Sequence, residues 1–189
     1  MEHVNDSTLI ERCKCKDKDA FGILVRRYQK PAYAFAFSYL RNSDDSVAVS
    51  QEAFVRAWRA IDTFLDGKSF KPWLFSIVRN LALNLIEKKK SHREISIDRA
   101  MEESGFDIPD ETADQLAEME QQELKREVWK AIISLKDEFR EIIILKHFND
   151  LSYREISESL GIPAGTVMSR LYYARAELKE KLEPTVLRS

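Results

Sequence analysis

The sequence has little of what marks β-rich, membrane and secreted proteins. Its 189 residues include only five glycines and five prolines, which disfavours a turn-rich β fold and favours helices. No apolar run approaches the roughly 20 residues that a membrane-spanning helix needs. The N-terminal stretch MEHVNDSTLIERC lacks the apolar region of a secretion signal. These absences predict a helical protein that stays in the cytoplasm and does not insert into a membrane.

The few cysteines and histidines argue against a disulfide framework and against a metal site. Cys13 and Cys15 are two residues apart, and such side chains on a helix point about 200° away from each other. His3, His92 and His147 do not have the spacing of metal ligands. The sequence also lacks a phosphate-binding glycine loop and a Ser/His/Asp pattern. It therefore predicts no metal, no cofactor and no catalytic residue.

Charge is distributed unevenly along the chain, although the net charge is only −2. Residues 1–90 carry a net charge of +5, residues 91–124 carry −9, and residues 125–189 carry +2. The acidic stretch contains Gly105, Pro109 and scattered apolar residues, which is typical of a tether that buries little of its own surface. From about Ala113 the sequence again favours a helix. The pattern predicts two domains joined by an acidic linker.

Helix signals follow one another through the first 90 residues, without the period-two alternation of a strand. Thr8 and Glu11 match a capping box, and Asp17 and Asp19 can cap a second helix. Pro31 is expected in the first turn of a third helix, which should end at the polar turn RNSDDS. The stretch VSQEAFVRAWRAIDTF predicts a further helix with one apolar stripe.

The segment GKSFKPWLFSIVRNLALNLIEKKK combines aromatic residues, lysines and an apolar helix. Pro72 marks the expected start of this helix, after the loop FLDGKSF. The helix should bury one stripe, formed by Leu74, Ile77, Val78, Leu81 and Leu85.

The stretch LSYREISESLGIPAGTVMSRLYYAR predicts a helix-turn-helix. Ser152 and Glu155 form a second capping-box pattern, the sequence GIPAG ends the first helix, and another helix begins at about Thr166. At 100° per residue, one face of this second helix points inward. That face consists of Val167, Leu171, Ala174 and Leu178.

The opposite face of this second helix suits DNA. Its small polar and aromatic side chains can enter a major groove, and flanking arginines can reach phosphates. A helical hairpin with a merely solvated face would usually carry more Glu and Lys. The residues predicted to bind DNA here, with one arginine of the preceding helix, are Arg154, Thr166, Met168, Ser169, Arg170, Tyr172, Tyr173 and Arg175.

With these motifs in one chain, the sequence resembles the extracytoplasmic-function (ECF) class of sigma-70 factors. LSYREISESLGIPAGTVMSRLYYARAEL is similar to their fourth conserved region, and QEAFVRAWRAIDTF followed by FKPWLFSIVRNLALN is similar to their second. The resemblance implies an all-α protein of two small helical domains joined by an acidic linker, the C-terminal one a helix-turn-helix domain. It assigns residues 1–92 to region 2, which binds core RNA polymerase and the −10 element. Residues 93–123 are then the linker, and residues 124–187 are region 4, which binds the −35 element.

The same resemblance implies that the loop and the last helix of region 2 contact the −10 strand and receive a base turned out of the stack. Aromatic rings beside cations suit this role, because an unpaired base gains stability by stacking on a ring. Phe70 is expected at the edge of the base pocket, whereas Trp73 is expected mainly in the core. The residues predicted to contact the −10 element are Phe64, Lys68, Ser69, Phe70, Lys71, Arg79, Asn80 and Asn84.

By the same resemblance, core polymerase is expected to dock on the helix that carries Asp45, Gln51, Glu52, Val55 and Arg59. Most relatives have acidic residues where this chain has Val47 and Ala48. A lost charge-assisted contact costs roughly 1.5–3 kcal/mol, so either core binding is weaker or Asp44 and Asp45 substitute.

The expected partners are core RNA polymerase, promoter DNA and, by resemblance, an inhibitory anti-sigma protein. The polymerase would supply the chemistry, so the chain itself is not expected to be an enzyme. Two other functions remain open. A stand-alone helix-turn-helix repressor would bind a symmetric operator without polymerase, but it leaves the aromatic loop unexplained. A sigma-like adaptor that no longer opens promoters would agree with Val47 and Ala48. An enzyme with a DNA-binding tail lacks a catalytic motif.

Overall fold

The computed structural model describes residues 4–93 and 115–186, and these residues form helices and connections without a strand. The helices of the first half are α1 (Asp6–Lys14), α2 (Lys18–Leu40), α3 (Ser43–Arg59) and α4 (Phe70–Arg93), with a 3-10 turn at Ile61–Thr63. Those of the second half are α5 (Gln115–Ile133), α6 (Asp137–Ile143), α7 (Tyr153–Leu160) and α8 (Ala164–Val186), with a π-helical turn at Ile144–Phe148. The predicted all-α fold is confirmed. Helix α5 begins inside the expected linker, whose residues 94–114 lie outside the described residues.

The first helix starts one turn earlier than the sequence predicts. The side chain of Asn5 accepts a hydrogen bond from the Ser7 amide, so Asn5 is the N-cap and the prediction of Thr8 in that role is wrong. Asn is as good a cap as Thr, and the earlier start lets α1 bury Leu9. The prediction for the second helix is confirmed, since Asp17 caps α2 by accepting from the Ala20 amide.

Pro31 lies inside α2 and does not begin a separate helix, so that prediction is also wrong. A proline in a helix interior removes one backbone hydrogen bond and favours a break. Here both flanks of the proline belong to one buried face, which includes Leu24, Tyr28, Ala32 and Phe35. Burial of that face stabilises a continuous helix, because helices in proteins depend more on packing than on intrinsic propensity.

Helices α3 and α4 both begin before their predicted starts. Asn42 caps α3 by accepting from the Asp45 amide, which places the helix start at Ser43. Helix α4 begins at Phe70, and Pro72 lies in its first turn, where a missing N–H costs no hydrogen bond. In the predicted stripe on α4, Leu74, Val78 and Leu81 are buried. The other two members, Ile77 and Leu85, are half-buried and pack against the core.

The helix-turn-helix has the predicted local structure. The Ser152 side chain accepts from the Glu155 amide while the Glu155 carboxylate accepts from the Ser152 amide, so the capping box that opens α7 is confirmed. Gly161 ends α7 with φ at 67°, a left-handed conformation that suits glycine. Helix α8 then begins at Ala164, two residues before the expected Thr166.

The two halves pack against each other, chiefly through α2 and α4 of the first half and α6 and α7 of the second. Helix α2 contacts α6, and α4 contacts α7. The Arg41 guanidinium donates to the carbonyl of Ile133 at 2.8 Å, and the Tyr39 hydroxyl donates to the carboxylate of Glu141. The loop before α4 consequently lies beside α7 of the second half.

Candidate nucleic-acid interface

A pocket of about 390 Å³ opens between the loop before α4 and helix α7. Gly67 turns this loop with φ at 76°, a conformation that glycine adopts without steric cost. The pocket combines aromatic, cationic and hydroxyl side chains with two residues of the second half. Its lining consists of Thr63, Phe64, Leu65, Lys68, Ser69, Pro72, Trp73, Ser76, Glu158 and Ser159.

Two aromatic rings near this pocket lie where the sequence-based prediction did not place them. Trp73 is half-buried, lines the pocket and meets the ring of Phe64 at 4.9 Å between centroids. Phe70 is 1% exposed and does not line the pocket, so its expected position at the pocket edge is wrong. The reason is the early start of α4. Phe70 is already helical and shares an inward face with Leu74, four residues later.

The lysines of this loop contact the second half. Lys68 is exposed and forms an ion pair with Glu158 at 2.9 Å. Lys71 is half-buried and donates to the carbonyl of Asn149. Burial lowers the pKa of Lys71, although nearby carboxylates of Asp150 and others oppose that effect. Ser69 is exposed at the pocket.

The three polar residues predicted on α4 have different surroundings. Asn80 and Asn84 are exposed on the helix surface. Arg79 is half-buried and donates from Nε to Oε2 of Glu141 at 3.0 Å. Burial by itself would lower the pKa of Arg79, but the Glu141 carboxylate outweighs it, so the pKa is raised. Arg79 therefore stays charged in this contact.

Glu141 of α6 is a buried carboxylate that the sequence did not reveal. It is 4% exposed, accepts from the Tyr39 hydroxyl and from Arg79, and lies 3.5 Å from Nη1 of Arg170. Burial and the neighbouring Glu141 carboxylate raise the pKa of Tyr39, so its hydroxyl remains a donor. In the stretch DEFREIIIL, Glu141 has the character of a surface residue, and its contacts with Tyr39, Arg79 and Arg170 all come from other helices.

The two faces of α8 agree with the predicted helix angles. Val167, Leu171 and Ala174 are buried, and Leu178 packs against the core while half-buried, so the inward face is confirmed. On the outer face, Ser169 is exposed and Thr166 is half-buried. Three large side chains are also well exposed there: Met168 at 58%, Tyr172 at 71% and Tyr173 at 59%.

The arginines predicted to contact the −35 element are not equally available. Arg170 turns toward α6 and pairs with Glu138 at 3.0 Å, besides its contact with Glu141. Arg175 is exposed, with Nε 3.4 Å from Nε2 of His147. Burial and the two cations Arg175 and Lys146 lower the pKa of His147, so the imidazole tends to stay neutral beside Arg175. Arg154 is exposed on α7.

The residues predicted to bind polymerase lie along α3. Gln51, Val55 and Arg59 are exposed on its surface. Glu52 is half-buried and pairs with Arg56 at 2.8 Å. Asp45 pairs with Lys89 of α4, so its carboxylate already has a partner.

An apolar groove adjoins this surface of α3. It has a volume of about 280 Å³ and is lined by Lys18, Phe21, Phe54, Val55 and Trp58. The rings of Phe21 and Trp58 lie 5.0 Å apart. Val47 and Val55 are 41% and 42% exposed on α3. Phe21 was not predicted as part of a groove, because an aromatic residue within the apolar stretch AFGILV has the signature of the core.

Two family models match the chain, one in each half. The model for Sigma-70 region 2 matches residues 24–92, and the model for Sigma-70 region 4 matches residues 125–178. The first span includes the aromatic loop and α3, and the second includes the helix-turn-helix.

Relatives with known names cover almost the whole chain. It is 34% identical over 194 residues to the ECF RNA polymerase sigma-E factor of Escherichia coli (strain K12), with 99% of both proteins covered. This chain belongs to the ECF sigma factors of the sigma-70 family. It is also 33% identical over 176 residues to the ECF RNA polymerase sigma factor SigW of Bacillus subtilis (strain 168), covering 92% of this chain and 94% of that protein. As a sigma factor, the protein directs RNA polymerase to promoters.

Two solved structures of similar fold are complexes of two proteins. This sigma factor matches the sigma factor RpoE in complex with the anti-sigma factor NepR from Bartonella quintana with a TM-score of 0.73 and 27% identity, covering 88% of this chain and 98% of that one. It also matches CnrH in complex with the cytosolic domain of CnrY, with a TM-score of 0.67 and 26% identity. That match covers 95% of this chain and 97% of the other. None of the helices in residues 4–93 and 115–186 is long and apolar enough to cross a membrane.

Proposed function

We propose that this sigma factor divides promoter recognition between its halves. Residues 1–92 bind core polymerase and the −10 element, residues 93–123 act as the acidic linker, and residues 124–187 bind the −35 element. The spans of the two family models support this division. The chain performs no chemistry of its own, and it acts in the cytoplasm together with the polymerase.

The single observation that carries the −10 assignment is the pocket built from Phe64 and Trp73. An unpaired base that stacks on such a ring gains roughly 1–3 kcal/mol. Lys68 and Ser69 at the same pocket supply a cation for the strand and a hydroxyl for a base edge. Trp73 replaces Phe70 as the ring that we assign to the base. Asn80, Asn84, Lys71 and Arg79 contribute contacts along α4.

The −35 assignment depends on the exposed face of α8. Tyr172 and Tyr173 pack edge to face with centroids 5.4 Å apart, and both rings face outward beside Met168 and Ser169. Such a face reads bases by shape and apolar contact more than by charge. Phosphate contacts come from Arg154 and Arg175, and from Arg170 once it leaves Glu138 and Glu141.

Polymerase is proposed to dock on α3 through Gln51, Glu52, Val55 and Arg59. Val47 extends the exposed apolar area of this surface. Burial of that area is proposed to favour docking where relatives are expected to use a carboxylate, because removal of apolar surface from water favours association. Asp45 contributes only after its pair with Lys89 opens. An anti-sigma protein is a further proposed partner, since RpoE of Bartonella quintana was solved in complex with the anti-sigma factor NepR.

A reconstituted transcription assay tests the proposal. The full chain is added to core polymerase with a library of genomic promoter fragments, and new start sites are mapped together with permanganate-reactive thymines in the opened strand. We expect both new start sites and reactive thymines near −10. Co-elution with core polymerase without reactive thymines would instead identify an adaptor. Failure to co-elute with core polymerase would contradict the function.

A further inference from the structure

Three cationic side chains of the first half that are proposed to contact the −10 strand instead contact the second half. Lys68 pairs with Glu158 at 2.9 Å, Lys71 donates to the carbonyl of Asn149, and Arg79 donates to Glu141 at 3.0 Å. All three acceptors belong to the segment from α6 to α7 of the second half. The cationic side of the −10 surface is thus occupied by the protein's own oxygen atoms.

Glu141 joins an arginine from each proposed DNA surface. Arg79 comes from α4 of the first half, and Arg170 comes from the recognition helix α8. A carboxylate that is 4% exposed is stable only with charged or hydrogen-bonding donors around it. Its donors are the two arginines and the Tyr39 hydroxyl. The contact with Arg170 lies within the second half, so only the contacts with Arg79 and Tyr39 depend on the two halves meeting.

The base pocket is closed in by the second half as well. Glu158 and Ser159 of α7 line the pocket together with Phe64 and Trp73. Ser159 is 6% exposed, and its hydroxyl has no hydrogen-bond partner among the described residues. A DNA strand that follows α4 into this pocket would have to displace α7.

We propose that, without polymerase, the helix-turn-helix half occupies the −10 surface as an intramolecular competitor of the DNA strand. The carboxylates of Glu141 and Glu158 pair with the cations that DNA phosphates would otherwise pair with. This inference rests on the proposed −10 role of the first half.

Promoter geometry requires that this contact opens. The −10 and −35 elements lie more than one DNA turn apart, and one turn is about 34–36 Å. The second half contacts the same surface that is proposed to bind the −10 strand, so the halves cannot keep this contact while that strand is bound. When polymerase holds the two halves apart, Lys68, Lys71 and Arg79 become exposed. Arg170 keeps its partners Glu138 and Glu141, because all three residues belong to the second half.

Zero-length carbodiimide cross-linking tests the contact directly. In the polymerase-free full chain, we expect an amide between Lys68 and Glu158, identified as a joined peptide by mass spectrometry. Addition of core polymerase should remove this product. The control is the cross-link within α5 between Lys130 and Glu127, whose Nζ and Oε1 atoms are 2.8 Å apart, and this cross-link should persist. Absence of the 68–158 product from the free chain, or its persistence in the polymerase complex, would overturn the proposal.

Binding of single-stranded DNA tests the consequence. The probe is a fluorescent pool of random 12-mers, and the double variant Glu141→Gln with Glu158→Gln is compared with wild type. The matched control, Glu180→Gln with Glu183→Gln, removes two exposed carboxylates from α8. If the closed form dominates by ten to one, the first pair should strengthen binding about ten-fold, since apparent affinity scales with the competent fraction, and the control should not.

Equal affinities of the two double variants would refute the competitor role. Loss of the buried Glu141 carboxylate could disturb folding, so Glu158→Gln alone, at an exposed position, is the second variant. Its affinity for single-stranded DNA should exceed that of Glu180→Gln, by less than the gain of the double variant. The proposed function has a separate readout. A wild-type chain that supports transcription with core polymerase but gives no 68–158 cross-link refutes only the competitor. A chain that cross-links but supports no transcription refutes the sigma role of its surfaces.

Discussion

Aromatic residues that lie close together in the sequence of the first half have different surroundings in the structure. Phe64, Phe70 and Trp73 form one aromatic cluster, with Phe70 and Trp73 5.8 Å apart between ring centroids. Phe70 also meets Tyr28 at 5.7 Å inside the core, whereas Trp73 faces the pocket. The residue that stabilises the domain and the residue assigned to the base are therefore different rings.

Substitution of these two rings should separate stability from promoter opening. Phe70→Ala should lower the free energy of unfolding by about 3–5 kcal/mol, because it leaves a cavity in the core. Trp73→Ala should cost only about 1–2 kcal/mol, because the ring is partly exposed, but it should abolish most permanganate reactivity near −10. Urea unfolding and the transcription assay measure the two effects. The opposite order of stability losses would contradict the placement of the rings.

At the scale of single elements, capping determines where the helices begin and end. Asn5, Asp17, Asn42 and Ser152 each accept a backbone amide at a helix start. Gly161 provides the left-handed residue after α7 and so sets the angle at which α8 leaves the turn. The orientation of α8 relative to α7 depends on this turn.

Two glycines of the turn should respond in opposite directions to the same substitution. Gly161→Ala should destabilise the protein by about 1 kcal/mol, because an L-residue is strained at positive φ. Gly165→Ala, in the first turn of α8, should stabilise it by up to about 0.5 kcal/mol, because alanine favours the helix and its Cβ meets no atom within 4 Å. Equilibrium urea unfolding of the full chain measures both. Equal effects of the two substitutions would contradict the described turn.

At the scale of the whole molecule, charge is separated along the chain. Residues 91–124 carry −9 between two basic halves. Two like charges repel over about a Debye length, which is close to 10 Å at 0.1 M salt. An acidic linker should therefore oppose binding of the isolated protein to bare DNA and favour a basic channel of the polymerase.

Neutralising the linker tests this effect. Replacement of the acidic residues between Glu94 and Asp114 by Asn and Gln should strengthen polymerase-independent binding to duplex DNA about ten-fold at low salt. This gain in DNA affinity should fall as the salt concentration rises. A linker with the same residues in shuffled order is the control, and it should bind like wild type. Unchanged affinity of the neutral variant at low salt would contradict the prediction.

The sequence by itself determined the features that depend on local patterns. Helical periodicity was sufficient for the all-α fold and for the inward face of α8, because burial follows a spacing that can be read along one helix. The capping box at Ser152 and the cap at Asp17 were found because their partners lie within three residues. The motifs of regions 2 and 4 likewise identified the family.

Only the tertiary structure decided what depends on distant partners. Continuation of α2 through Pro31 required the packing of its buried face, and the positions of Phe70 and Trp73 followed from where α4 begins. Glu141 is 62 residues from Arg79 and 102 from Tyr39, so no local pattern could show that it is buried. A carboxylate inside a contact between two halves is defined by its donors, and those donors come together only when the chain folds.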